Sequence, residues 1–303
     1  MGKFINPFND FGFKRLFGQE DSKVILIGFL NALFEREFVV TDLVYRDKEQ
    51  LREGSGERGV IYDIFCTTDK GEQFILEMQN KKQNHFEDRA LYYTARGIVG
   101  QGVSGKWNYD FKAVCGIYLM NFTEEVLLDK FRSEFGLRNL ITDEPFTQAL
   151  VLTRKLRLVF LQMPLFKKSE AECKTDLDKW TYILKNMETL KTIPWQAEKD
   201  AFEAIAQIGS YEAMTEEQRN RYDDAQRNYW DSVAVYEAAI EEGKKEGKKE
   251  GVINVALSLI RDGFPTEFVM RHTELSEAEI ENLREQHAKP QPPVTLPLSQ
   301  NIT

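Results

Sequence analysis

The chain has 303 residues, of which 42% are hydrophobic and 29% charged, and a length of this order accommodates a globular core domain plus an extension. Its three cysteines, Cys66, Cys115 and Cys173, are odd in number and lie in or near apolar runs, which argues against a disulfide framework or a zinc spacing and fits a reducing compartment. With no charged-then-apolar leader and no apolar run near the roughly 18 residues that span a bilayer, a soluble cytoplasmic protein that does not associate with membranes is expected.

In chain order, residues 11–17 (FGFKRLF) read as a helix or turn, and residues 22–34 (SKVILIGFLNALF) as a helix with Asp21 or Ser22 as its cap. The apolar spacing of this second helix is the one that packs on a sheet. A strand is expected near residues 38–45, followed by a polar, Glu- and Gly-rich loop over residues 48–59.

Residues 60–67 (VIYDIFCT) and 72–79 (EQFILEMQ) then alternate with period two, and residues 68–71 (TDKG) supply turn chemistry with a glycine free to take positive φ. A hairpin symmetric about Lys70 sets Asp63 opposite Glu77 on one face, with Cβ atoms about 5 Å apart, and Gln79 follows on that face. The even-numbered face carries Tyr62, Ile64, Cys66, Phe74, Leu76 and Met78. All six are core-like, so a slip of one residue would bury the carboxylates and expose the core. Two carboxylates held this close drive each other toward protonation unless a cation lies between them. The pair therefore reads as a site for a hard divalent ion such as Mg²⁺, which takes one or two protein carboxylates together with phosphate oxygens. The alternative is an ordinary antiparallel hairpin with a polar, solvent-facing side.

Beyond the hairpin, residues 84–100 read as a helix and residues 110–122 as a nearly all-apolar buried strand. The order strand, helix, strand implies a right-handed parallel crossover and hence a mixed sheet. On the helix, Arg89 and Tyr93 are four apart and share a face, with His85 one turn before them. Arg89 offers a two-pronged fork for phosphate oxygens; its alternative is a structural ion pair, that of Tyr93 is the core, and that of His85 is a solvated helix start. Residues 153–166 read as a further strand closed by Pro164, and helices follow over 176–190, 198–208 and 215–240.

Residues 241–251 (EEGKKEGKKEG) space Gly243, Gly247 and Gly251 four apart, either as a helix whose glycine stripe permits close approach or as a flexible linker. Residues 252–283 resemble a degenerate helix-turn-helix whose acidic last helix suits protein contacts better than a DNA groove. The stretch after Lys289 is proline-rich and expected to be disordered.

Four blocks carry a family resemblance: residues 9–18 (NDFGFKRLFG), 62–66 (YDIFC), 75–80 (ILEMQN) and 86–93 (FEDRALYY). Asp63 followed after thirteen residues by Glu77-Met78-Gln79 is similar to the D…(D/E)-x-K hairpin of the PD-(D/E)XK nuclease superfamily, with glutamine in place of lysine. The blocks together resemble the recombination-promoting nuclease (Rpn) and transposase family, over about residues 4–166. The resemblance implies an α/β, restriction-endonuclease-like mixed sheet flanked by helices, with an α-helical C-terminal extension. It implies Mg²⁺ or another divalent cation on Asp63 and Glu77, the Met78 carbonyl as a further ligand, and Asp10, the acid of the first helix, as a candidate ligand whose alternative is a helix cap. Gln79 is neutral, so its implied role is to orient water or a phosphate oxygen, with positive charge from Arg89 or Lys14.

These readings divide the chain into a nuclease-like domain (1–170), a helical extension (171–242), a glycine-spaced helix with a helix-turn-helix-like tail (243–289) and a disordered end (290–303). The expected activity is Mg²⁺-dependent endonucleolytic hydrolysis of DNA in recombination or mobile-element biology, with Asp63, Glu77 and Gln79 as catalytic residues. Lys14, Arg89 and Tyr93 are the phosphate-binding candidates, and homo-oligomerisation is expected through the C-terminal helices. The rival is a catalytically silent DNA-binding or assembly module that retains the fold. A formal charge of −9 disfavours phosphate contacts, but residues 1–120 hold 16 Lys and Arg against 17 Asp and Glu, so most of the excess lies later in the chain.

Overall fold

The computed structural model describes residues 3–35, 37, 39–47, 49–50, 60–127, 129–137 and 155–288. Its strands are β1 (Leu43–Tyr45), β2 (Glu49–Gln50), β3 (Val60–Ile61), β4 (Ile64–Thr68), β5 (Gln73–Gln79), β6 (Val114–Met120), β7 (Arg132–Gly136) and β8 (Leu156–Gln162). The α-helices are α1 (Asp10–Phe17), α2 (Lys23–Phe34), α3 (Phe86–Val99), α4 (Asp176–Asn186), α5 (Asp200–Ile208), α6 (Glu216–Arg261), α7 (Thr266–Thr273) and α8 (Glu277–Ala288).

The main sheet has the order β1-β4-β5-β6-β8-β7, in which β5, β6 and β8 are mutually parallel and the other neighbours antiparallel. The β4–β5 hairpin has the register the sequence predicts: Ile64 opposes Leu76 and Cys66 opposes Phe74. Gly71 closes its turn at φ 92, a backbone conformation that a side chain would strain.

Alternation along the strands feeds two cores. Ile64, Cys66, Phe74, Leu76, Ile117, Leu119, Val159 and Leu161 pack with α1, α2, α4 and α5, where Phe29, Trp180 and Phe202 are at most 1% exposed. Burying each such phenylalanine contributes about 1.5–3 kcal/mol relative to exposure. On the other face α3 covers the sheet, with Ile75 and Val114 beside Tyr93 and Ile98, and Phe86 and Ala90 beside Tyr118 and Phe160. Gly116 permits this close docking, since a Cβ there would lie 2.3 Å from Thr94 Oγ1. The protein is thus an α/β fold with a six-stranded mixed sheet flanked by helices and a C-terminal helical region.

Three expectations are corrected. The hairpin's odd-numbered side is not a solvated face, because α3 buries Phe65 and Ile75 there and Glu77 is only 3% exposed. Tyr62 does not join the even-numbered core: pairing breaks between Ile61 and Ile64, the alternation resets, and Tyr62 packs with Phe65 and Ile75 under α3. The strand expected over 38–45 shrinks to Leu43–Tyr45, which makes three pairs with β4. Two strands escaped the sequence reading. Glu49–Gln50 lies in the segment read as loop and pairs with Val60–Ile61, and Arg132–Gly136 is a polar edge strand with no clean alternation. Residues 51–59 and the proline-rich end after Lys289 lie outside the described residues.

By contacts the chain forms two compact units, residues 1–233 and 234–303. Within the second, Ala256, Val269 and Ile280 are buried together, with Leu259, Leu275 and Leu283 packed around them. Residues 216–261 form one helix, so the glycine-spaced segment is helical rather than a linker. A Cβ added at Gly243, Gly247 or Gly251 would meet nothing within 4 Å among the described residues.

Candidate active site

Odd-numbered residues of β5 direct their backbone groups toward β6, since Gln73 N–H donates to Ala113 O and Asn121 N–H to Gln79 O, each at 2.8 Å. Even-numbered residues therefore present theirs to β4. At Met78 the partner strand has broken off, and the Met78 N–H donates to Asp63 Oδ2 at 3.0 Å. Asp63 in turn donates its backbone N–H to Glu77 Oε1 at 3.1 Å. The break at Tyr62–Asp63 is what frees the Asp63 carboxylate to take the place of a ladder acceptor. Tyr62 pins it, donating its hydroxyl to the Tyr93 carbonyl of α3 at 3.0 Å. The Met78 carbonyl lies on the same side of β5 as its N–H and so faces the edge where Asp63 sits.

Burial of Glu77 and then the charge of Asp63 push the Glu77 carboxyl up to about 8, against the Asp63 N–H, the Arg89 charge and the Gln79 amide, which hold it down. A group this far above the usual carboxylate range retains its proton at neutral pH unless a cation replaces that proton. Two carboxylates and a backbone carbonyl directed to one strand edge form a hard, all-oxygen donor set. That set fits Mg²⁺, which completes its shell with water and substrate oxygens. Among the described residues no three His, Cys, Asp or Glu side chains gather closely enough to hold a metal ion.

Gln79 follows Glu77 on the α3 face, its amide 3.5 Å from Glu77 Oε2, a long contact that leaves it room to turn. Arg89 acts electrostatically on Glu77, donates to Gln83 Oε1 at 2.6 Å and lies 4.9 Å from the Tyr93 ring centroid. Among the described residues no carboxylate forms an ion pair with it. His85 is exposed at the helix start, 3.5 Å from Asp88.

Asp10 and Lys14 lie elsewhere. Asn9, not Asp10, caps α1 by accepting from Gly12 N–H at 2.6 Å, and Asp10 pairs with Lys14 at 2.6 Å. Both line a cleft shared with Met78 and Asn80, whereas Glu77 and Gln79 project to the α3 side. The structure thus gathers Asp63, Glu77, Gln79, Met78 and Arg89 and sets Asp10 and Lys14 across the end of β5. Two residues the sequence reading did not single out also matter: Tyr62, hidden by the broken alternation, and Asn80, which stands in the ILEMQN block but was given no role.

A family model for PD-(D/E)XK nuclease family transposases matches residues 7–239. The chain belongs to that family. In this PD-(D/E)XK transposase-family protein the match runs through every residue of the site and through α1 to α5, and so includes α4 and α5, the helices after β8 that share a core with the sheet. Neither the curated proteins nor the solved structures compared with it give a match. No helix among the described residues is long and apolar enough to cross a membrane.

Proposed function

We propose that this nuclease-family protein is a Mg²⁺-dependent DNA endonuclease that acts in recombination or mobile-element biology in the cytoplasm, as its likeness to the Rpn proteins suggests. The observation that carries the reading is the interlock of Asp63 and Glu77 around the Met78 backbone, with Glu77 buried and its carboxyl raised beside a second carboxylate. An arrangement that costs stability in a metal-free protein has a reason if it is completed by a cation. The divalent ion, when bound, would lower the pKa of a water and neutralise charge on a phosphate.

Asp63, Glu77 and the Met78 carbonyl hold it in this reading. Gln79 orients the attacking water or a phosphate oxygen through its amide. Arg89, braced by Gln83 and Tyr93, supplies the positive charge that glutamine lacks, and fixes a phosphate with its two-pronged fork. Lys14 and Asp10, paired with each other on the far side of β5, take no part at the metal in this reading. Residues 243–289 form an assembly surface through which the chain self-associates.

Purified full-length protein incubated with supercoiled plasmid tests the reading. Nicking that requires Mg²⁺, stops in chelator and is absent in Asp63→Ala supports it. Binding without cleavage in every metal would establish instead the silent DNA-binding module.

A further inference from the structure

The cleft on the α1 side of β5 has a volume of about 560 Å³, within the range of small-molecule sites. It belongs wholly to the first unit. Five amide side chains line it: Asn9, Gln19, Asn80, Gln218 and Asn228. Its charged lining is balanced, with Lys14 and Arg221 against Asp10 and Asp224, and Lys14 is already held by Asp10. A phosphate needs an excess of positive charge, so this is not a phosphate site. A neutral ligand rich in donors and acceptors suits it better.

Asn80 narrows the chemistry. Its Nδ2 donates to the Phe8 carbonyl at 2.7 Å, and because a carbonyl only accepts, that contact fixes which end of the amide is oxygen. The Oδ1 atom is buried, and among the described residues no donor reaches it. A buried acceptor left so is unfavourable, and a ligand N–H brought to it would relieve it. Flat surfaces line the same cleft: the Arg221 guanidinium lies over the Phe11 ring, 5.5 Å from its centroid, and Tyr229 is a further lining residue. Guanidinium planes and aromatic rings beside amides are the surfaces that receive splayed nucleobases. Asn80 is three residues from Glu77 on an extended strand, about 10 Å.

We propose that this cleft seats one unpaired nucleobase of the DNA strand whose phosphate lies at Asp63 and Glu77, with Asn80 Oδ1 accepting a base N–H and Phe11 and Arg221 providing the stacking surface. The proposal rests on the DNA-cleaving reading for the identity of the strand. It makes the protein select a base near the cut and prefer single-stranded or locally opened DNA.

The test is binding rather than cleavage. The full-length Glu77→Gln chain is titrated with a labelled mixed-sequence single-stranded 12-mer and with twelve versions each carrying one abasic residue, read by fluorescence anisotropy. One abasic position is expected to weaken binding about tenfold or more, with its neighbours near the intact value. Asn80→Leu and Arg221→Ala should each remove that position dependence. Arg221 is exposed, so its variant decides the matter if Asn80→Leu releases Phe8 and unfolds. Equal binding of all the abasic strands, or a position dependence that survives Arg221→Ala, overturns the proposal. Position-dependent binding by a protein whose wild type never cuts would sink metal hydrolysis and leave the base site standing.

Discussion

Glu77 accepts the backbone N–H of Asp63 at 3.1 Å while its neighbour Met78 donates its own N–H to the Asp63 carboxylate at 3.0 Å. The Glu77 carboxylate is therefore held by the main chain of Asp63 and the Asp63 carboxylate by that of Met78, so the backbone locks the two acids side by side.

Asp63→Asn and Glu77→Gln should each lower Mg²⁺-dependent plasmid cleavage by more than about a hundredfold, a loss at least as large as that of one preorganised transition-state donor. Both amides fit the space of the acids, so circular dichroism and elution volume should match wild type. Full activity in both variants would falsify the assignment of the metal ligands.

In chelator, wild-type stability should fall as pH rises. The folded Glu77 carboxyl is raised from 4.5 to about 8, so its contribution is full below the unfolded value and is lost as pH climbs through about 8. Glu77→Gln carries no such dependence. Unfolding free energies from urea titrations between about pH 5 and pH 9 should converge at the acid end and favour the variant at the alkaline end, by on the order of a few kcal/mol. Mg²⁺ should restore the wild type at high pH, and a flat wild-type profile would count against the buried pair.

Gln79→Ala should slow cleavage about tenfold to a hundredfold with little change in Mg²⁺ affinity by calorimetry, since an amide positions water or phosphate but carries no charge. Gln79→Lys should keep or raise the rate. A large drop in metal affinity on Gln79→Ala would make the amide a ligand instead.

Gly116→Ala should destabilise the protein by about 1–3 kcal/mol in urea titrations, because the new methyl meets Thr94 and Tyr118 and lifts α3 off the sheet. Activity should fall with it, since Arg89 and the Tyr93 carbonyl ride on α3. Unchanged stability would mean that α3 shifts freely.

Deleting residues 243–303 should leave cleavage present and reduce the molar mass by light scattering to that of a smaller assembly. The apolar cluster of Ala256, Val269 and Ile280 is self-contained, so its loss leaves the core around Trp180 intact. Unchanged stoichiometry with lost DNA binding would instead make the tail a DNA reader.

The sequence by itself determined the hairpin and its register and brought Asp63 to the neighbourhood of Glu77, although the ladder stops at Ile64 and Leu76 before the two acids pair. Period-two alternation about a Gly71 turn is a local signal, and a slip would have cost the whole Ile64, Cys66, Phe74 and Leu76 core. Order along the chain likewise implied the parallel crossover through α3. Tertiary structure alone decided the rest. Whether the acid face meets water depends on α3 folding back over it, a long-range contact that no hairpin pattern encodes, and this burial is what raises Glu77. The break at Tyr62 reverses one side chain because Tyr62 finds Tyr93 across 31 residues. Asp10 and Lys14 stand on the opposite side of β5 from Glu77 because the packing of α1 against the sheet sets them there, and the cleft they share with Asn80 and Arg221 joins residues more than 140 apart in the chain.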